Sequence, residues 1–183
     1  MVPGDYTVKV SAGGRELTGQ VTVMLDPGEQ ASASDLEAQL QASFAAQALQ
    51  ARVNAVVERV DTMIGQLSAI DGQLLRQNPP PYAAQVKQAL DTLKKFKDDE
   101  LARPISGLGY RQYPRLREDV QSLAGYVGRG FRAPNAGELE RMKDLTAQVD
   151  QAVAKVNGLI AKDIAAINDA MKAAPRIAVE PVK

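Results

Sequence analysis

The side chains able to do chemistry in this chain are few, and the acids among them cluster. Asp98, Asp99 and Glu100 form one group, Glu118 and Asp119 a second. Two carboxylates at a suitable separation can divide the work of acid and base, as in glycoside hydrolysis. The first group lies beside Lys94, Lys95 and Lys97, which is equally the make-up of a solvated helical face laced with weak ion pairs. We take that face as the simpler account and expect all of these acids in solvent. The chain holds no His and no Cys, which excludes Ser-His-Asp and Cys-His nucleophiles, thiolate metal sites and the Glu-x-x-His ligation of di-iron bundles. Neither SAGGR nor GRG is a phosphate cradle, because no GxxxxGK[ST] occurs and no GxGxxG opens a helix after a strand. No catalytic residue, cofactor-binding residue or metal ligand is assigned, and we expect no enzyme and no cofactor.

A second constellation lies between residues 103 and 132, where six arginines face only two acids, an excess of four positive charges. Tyr110, Tyr113, Tyr126 and Phe131 are interleaved with them. Arginine beside exposed aromatics is the composition of protein interface hot spots and also of single-strand nucleic-acid platforms. The candidate partner surface is Tyr110, Arg111, Tyr113, Arg115, Arg117, Arg129 and Arg132. A protein partner is preferred to nucleic acid. The plainest alternative has the aromatics plugging a break between helices while the arginines stay in water.

The whole-chain charge agrees with that preference. Twenty-two basic side chains balance 22 acidic ones over 183 residues, so no global field steers the protein to nucleic acid or an anionic membrane. No apolar run reaches the roughly 18 residues of a membrane span, and VPGDYTV after Met1 lacks a signal-peptide pattern. We expect a soluble chain, either cytosolic or cut from something longer. Its length suits one main core with a small appendage.

The elements that must position these residues fall into two kinds. Tyr6, Val8 and Val10 alternate with polar residues, as do Val21, Val23 and Leu25, and SAGGRE between them supplies a turn. That is the period of a half-buried hairpin. Asp26-Pro27-Gly28 ends it, with Gly28 expected to take a positive φ.

From Ser34 the period becomes helical, with Ser34 and Glu37 placed as a capping box. Leu49, Val53, Val56, Val60, Met63, Leu67, Ile70 and Leu74 then follow alternating steps of four and three, a coiled-coil-type seam. The spacing predicts a helix from about 34 to 77, halted by Asn-Pro-Pro-Pro. A second helix, about 82 to 102, carries Val86, Leu90, Leu93, Phe96 and Leu101. A third opens with Pro114 at its first position and carries Leu116, Val120, Leu123 and Val127. Asn135 and Glu138 form another capping box, opening a last long helix with Leu139, Met142, Leu145, Val149, Val153, Val156, Ile160, Ile164, Ile167 and Met171.

The two middle helices laid end to end match one long helix. The expected fold is therefore mainly α, an antiparallel bundle of long helices, either three-helix with a broken middle helix or four-helix, preceded by an N-terminal β-hairpin. The boundary falls between a hairpin of residues 1–30 and a bundle of residues 31–183. Leu36, Leu40 and Phe44 precede the regular seam, so the start of the first long helix is expected to project and meet the hairpin.

With these elements in place the chain resembles the C-terminal region of large bacterial sortilin-like proteins with BNR-type β-propeller repeats, often labelled glycosyl hydrolases. The residues that carry the likeness are PGDYTVKV and LTGQVTVMLDP within 3 to 27, SDLEAQ, YPRLREDVQSLAGYV at 113 to 127, and LIAKDIAAINDAMK. Nothing matches the Asp-box of propeller blades, and Gly28 stands where such proteins carry a basic residue after DP. The resemblance implies a non-catalytic C-terminal module with a structural or interaction role in a secreted or periplasmic protein. Its partners would be a protein or the preceding domains of the same polypeptide. Residues 3 to 27 would be the last two strands of a fibronectin-like or Ig-like sandwich. The alternative is a self-contained helical adaptor binding a protein through residues 103–132.

Overall fold

A computed structural model describes residues 2–74, 80–104, 111–171 and 181–182. Two strands, β1 (Gly4–Ala12) and β2 (Arg15–Val23), pair antiparallel without a bulge, from Gly4 opposite Val23 to Ala12 opposite Arg15. Gly13 and Gly14 make the two-residue turn at φ +55° and +75°. Both central residues of such a turn need the left-handed region, which glycine enters without steric cost. Past β2 the turn forms differently from the sequence expectation. Gly28 does not take a positive φ; its amide donates to the Asp26 carboxylate at 2.8 Å, while the Glu29 amide donates to the Asp26 carbonyl at 2.9 Å.

The two faces of the hairpin differ. On one, Thr22 is 2.6 Å from Asp5, Gln20 is 3.1 Å from Thr7 and Lys9 is 2.8 Å from Glu16. The other presents Tyr6, Val8, Val10, Leu17 and Val21, because side chains alternate along a strand. That face stands off the helices, with Leu17 75 % exposed and Val8, Val10 and Val21 also in solvent.

The helices are α1 (Ala33–Leu74), α2 (Ala83–Phe96), α3 (Leu116–Val127), α4 (Ala136–Leu159) and α5 (Ala165–Met171). A π-helical turn, Lys97–Leu101, extends α2, and another, Ile160–Ile164, joins α4 to α5. Such a turn inserts one residue into an α-helix and shifts the phase of every later position. It accounts for the five-residue step from Phe96 to Leu101, both of which remain buried.

Two helix starts lie away from their expected places. Ser32, not Ser34, caps α1: its hydroxyl accepts the Asp35 amide at 3.1 Å and donates to the Asp35 carboxylate at 2.7 Å. Glu37 is thus one turn in, where it accepts from Gln41 at 2.7 Å. Pro114 precedes the cap residue Arg115 rather than opening α3. At α4 the predicted box is present, with the Glu138 amide on Asn135 Oδ1 and the Asn135 amide on Glu138, both at 2.9 Å.

The bundle runs up, broken-down, up. Helix α1 packs against α2 and α3 along its length and against α4, and α3 also packs on α4. Its core is the predicted seam: Leu49, Val53, Val56, Val60, Met63 and Leu67 are buried, together with Val86, Leu93, Val120, Leu145, Val149 and Ile167. Burying one such aliphatic side chain stabilises by about 1.5–3 kcal/mol, so this continuous strip holds the helices together. Ala42 and Ala46 carry the strip back toward the start of α1, while Leu36 is buried, Leu40 half-buried and Phe44 exposed. The last predicted seam position of α1, Leu74, has its side chain outside the described residues.

Candidate interaction surface

The region 103–132 links the π turn after α2 to the loop that opens α4, and its polar groups are organised by one buried acid. Glu118 is in the first turn of α3 and only 5 % exposed. Its Oε2 accepts the backbone amides of Arg103 and Arg115, each at 3.1 Å. Its Oε1 accepts from Arg117 at 2.9 Å. This corrects the expectation of a solvated acid: the Arg115 amide at the start of α3, the Arg103 amide past the π turn and two guanidinium groups draw the carboxylate in and take both its oxygens.

Two of the neighbouring carboxylates have partners too. Asp119 pairs with Arg141 at 2.9 Å and Glu100 with Lys155 at 2.6 Å. Lys155 also lies 4.1 Å from the centre of the Phe96 ring, where the ring's negative face attracts the ammonium. Asp98 contributes its carbonyl oxygen, which accepts from Arg115 Nε at 2.9 Å. Among the described residues no group of three or more acids is placed to hold a metal ion.

Each residue proposed from the sequence has a definite place. Tyr110 lies outside the described residues. Arg111 is exposed and has a partner of its own. Tyr113 is 86 % exposed, and its carbonyl receives Arg115 at 3.4 Å. Arg117 is held by Glu118, and Arg129 lies 5.3 Å above the Tyr126 ring. Arg132 grips Glu138 with two nitrogens, at 2.6 and 2.8 Å. That pairing and the Asn135 amide lower the Glu138 carboxyl to about 2, and the carboxylate in turn raises the Arg132 guanidinium.

The plainest sequence account holds for Arg111, Arg129 and Arg132, which are exposed, but not for the aromatics. Tyr113, Tyr126 and Phe131 remain exposed, whereas Arg115 bonds the Asp98 carbonyl across the break, Arg117 bonds its neighbour Glu118 and Arg132 bonds Glu138 at the opening of α4. Arg115 and Arg117 therefore fix the surface, and the aromatic rings are what it offers.

A residue that sequence patterns did not single out completes it. Gln39, on α1, donates its side-chain amide toward the carbonyls of Val127, Arg129 and Gly130 at 3.4, 3.2 and 2.7 Å. These are the loose carbonyls past the end of α3, which a side-chain amide can satisfy. Beside them Val2, Leu36, Leu40, Phe44 and Phe131 border an open hollow of about 320 Å³. This hollow is where the start of the hairpin meets the bundle.

No protein-family model, no curated protein and no solved structure matches the chain. No helix of the described residues is long and apolar enough to cross a membrane.

Proposed function

We propose that the chain is a non-catalytic C-terminal structural and interaction module of a secreted sortilin-like or glycosyl hydrolase-like β-propeller protein. The observation that carries this reading is the hairpin. Nine consecutive residue pairs form an unbroken ladder whose apolar face has no cover from the bundle. A lone two-stranded ribbon is marginal in water, and a flat apolar face on it is the surface that packs against another sheet. In this reading preceding strands of the same polypeptide cover Val8, Val10, Leu17 and Val21, and the bundle stands beyond them. An immunoblot of source cells and their secreted fraction tests it. A band far above 19.6 kDa is expected, and a band at 19.6 kDa overturns it.

The exposed rings of Tyr113, Tyr126 and Phe131 favour a second reading, a helical adaptor that binds a protein through this region. Tyr113→Ala with Tyr126→Ala leaves the internal arginine bonds in place. Loss of a captured partner with that double variant supports the adaptor, and retention of every partner opposes it.

A further inference from the structure

Residues 181 and 182 are held on the last long helix in a way that differs from the rest of the packing. Asn157, in α4, donates from Nδ2 to the carbonyl of Val182 at 3.1 Å, and the Val182 amide donates to Asn157 Oδ1 at 2.8 Å. One side-chain amide thus satisfies both backbone groups of a single residue, as a neighbouring strand does for its partner in a hydrogen-bonded pair. Val182 is 7 % exposed and belongs to the same buried core as Val156 and Ile164. Pro181 has no amide needing a partner and a fixed φ, so the segment approaches with little to lose.

We propose that Asn157 and the apolar seat beside it form a recognition site for an extended peptide, filled in this molecule by the chain's own residues Pro181 and Val182. The backbone bonds supply affinity with little regard to sequence, and the buried valine supplies selectivity for a small branched aliphatic residue. Tethering makes the occupant hard to displace, because a short covalent link gives an effective concentration on the order of millimolar.

Two measurements test this on the full chain. Hydrogen exchange is the first and leaves the tail unchanged. The Val182 amide is expected to exchange at least about tenfold more slowly than in a free peptide, and Asn157→Ala is expected to abolish that protection. Unprotected exchange in the unaltered chain, or protection that survives Asn157→Ala, overturns the proposal.

The second uses Val182→Asp, which cannot seat a charge in the core and so frees the site. A fluorescent peptide of sequence Val-Glu-Pro-Val-Lys is expected to bind this variant with a dissociation constant of about 0.1 mM or tighter. It should bind at least about tenfold more weakly to the unaltered chain and to the double variant that adds Asn157→Ala. Equal binding to all three, or no binding to a Val182→Asp variant that keeps its helical circular dichroism, overturns the site. If that variant fails to fold, the exchange measurement decides alone.

Discussion

The backbone amide of Arg103 and the carboxylate of Glu118 meet at 3.1 Å across 15 residues of sequence, so the end of one helical arm is fastened to the first turn of the next. Removing a buried acceptor that serves two amides and two guanidinium groups leaves several donors unsatisfied. Glu118→Ala is expected to lower stability by about 3 kcal/mol in urea unfolding followed by helical circular dichroism. A loss under about 0.5 kcal/mol would show that water replaces the carboxylate without penalty.

Acid should loosen the opening of α4. The Glu138 carboxyl lies at about 2 in the folded chain against an ordinary 4.5, held down first by Arg132 and then by the Asn135 amide. Because the folded value is the lower one, the unfolded chain takes up the proton first. The stability from this pair is complete above about 4.5 and drains away as pH falls toward 2. Melting temperatures measured from pH 6 to 2.5 should therefore fall less steeply for Glu138→Gln than for the unaltered chain. Parallel curves would mean that Arg132 and Glu138 are not paired in solution.

Helices α1 to α5 should not depend on the hairpin. Among the described residues Val2, just ahead of β1, lines the hollow against α1, and no residue of either strand belongs to the buried core. A chain beginning at residue 31 is expected to melt within about 4 °C of the full chain, the shift that about 1 kcal/mol produces at this size. A drop beyond about 10 °C would place the hairpin on the bundle.

Position along a helix should decide the weight of a leucine more than its place in the pattern. Leu67 and Leu139 both fall on predicted seams, yet Leu67 is fully buried and Leu139 is 51 % exposed. Leu67→Ala is expected to cost about 3 kcal/mol through the cavity it leaves. Leu139→Ala should stay within about 0.5 kcal/mol. Equal losses in denaturant unfolding would contradict the packing.

Those two leucines also mark what was legible in the sequence. Periodicity located the faces of all the long helices, because a buried strip must recur every three or four residues. It carried no sign of where a neighbouring helix stops, so the exposed end of α4 was invisible to it. Ala42 and Ala46 give little signal because a methyl group is only weakly apolar, though both are buried. The π turn after α2 was written in the five-residue step from Phe96 to Leu101, but an isolated irregular step reads equally as a helix end. The internal use of Arg115, Arg117 and Arg132 was hidden because an arginine at a break fits a partner's carboxylate as well as one of its own. Glu118 did carry a signal. It stands three residues after Arg115, the place from which an acid reaches back to a helix's cap amide, once Pro114 is put outside the helix.

Helix α1 has 42 residues and no proline, which at 1.5 Å per residue gives a rod about 63 Å long. The hairpin joins one end of that rod, and the chain returns as α2 from the other. The point where the hairpin is attached is therefore separated by most of that length from the point where α2 begins its return. Adding or removing a whole number of turns within α1, matched in the opposing helices, would change the spacing in steps of about 5.4 Å. The distance between the two ends of the bundle is in that sense set by residue count.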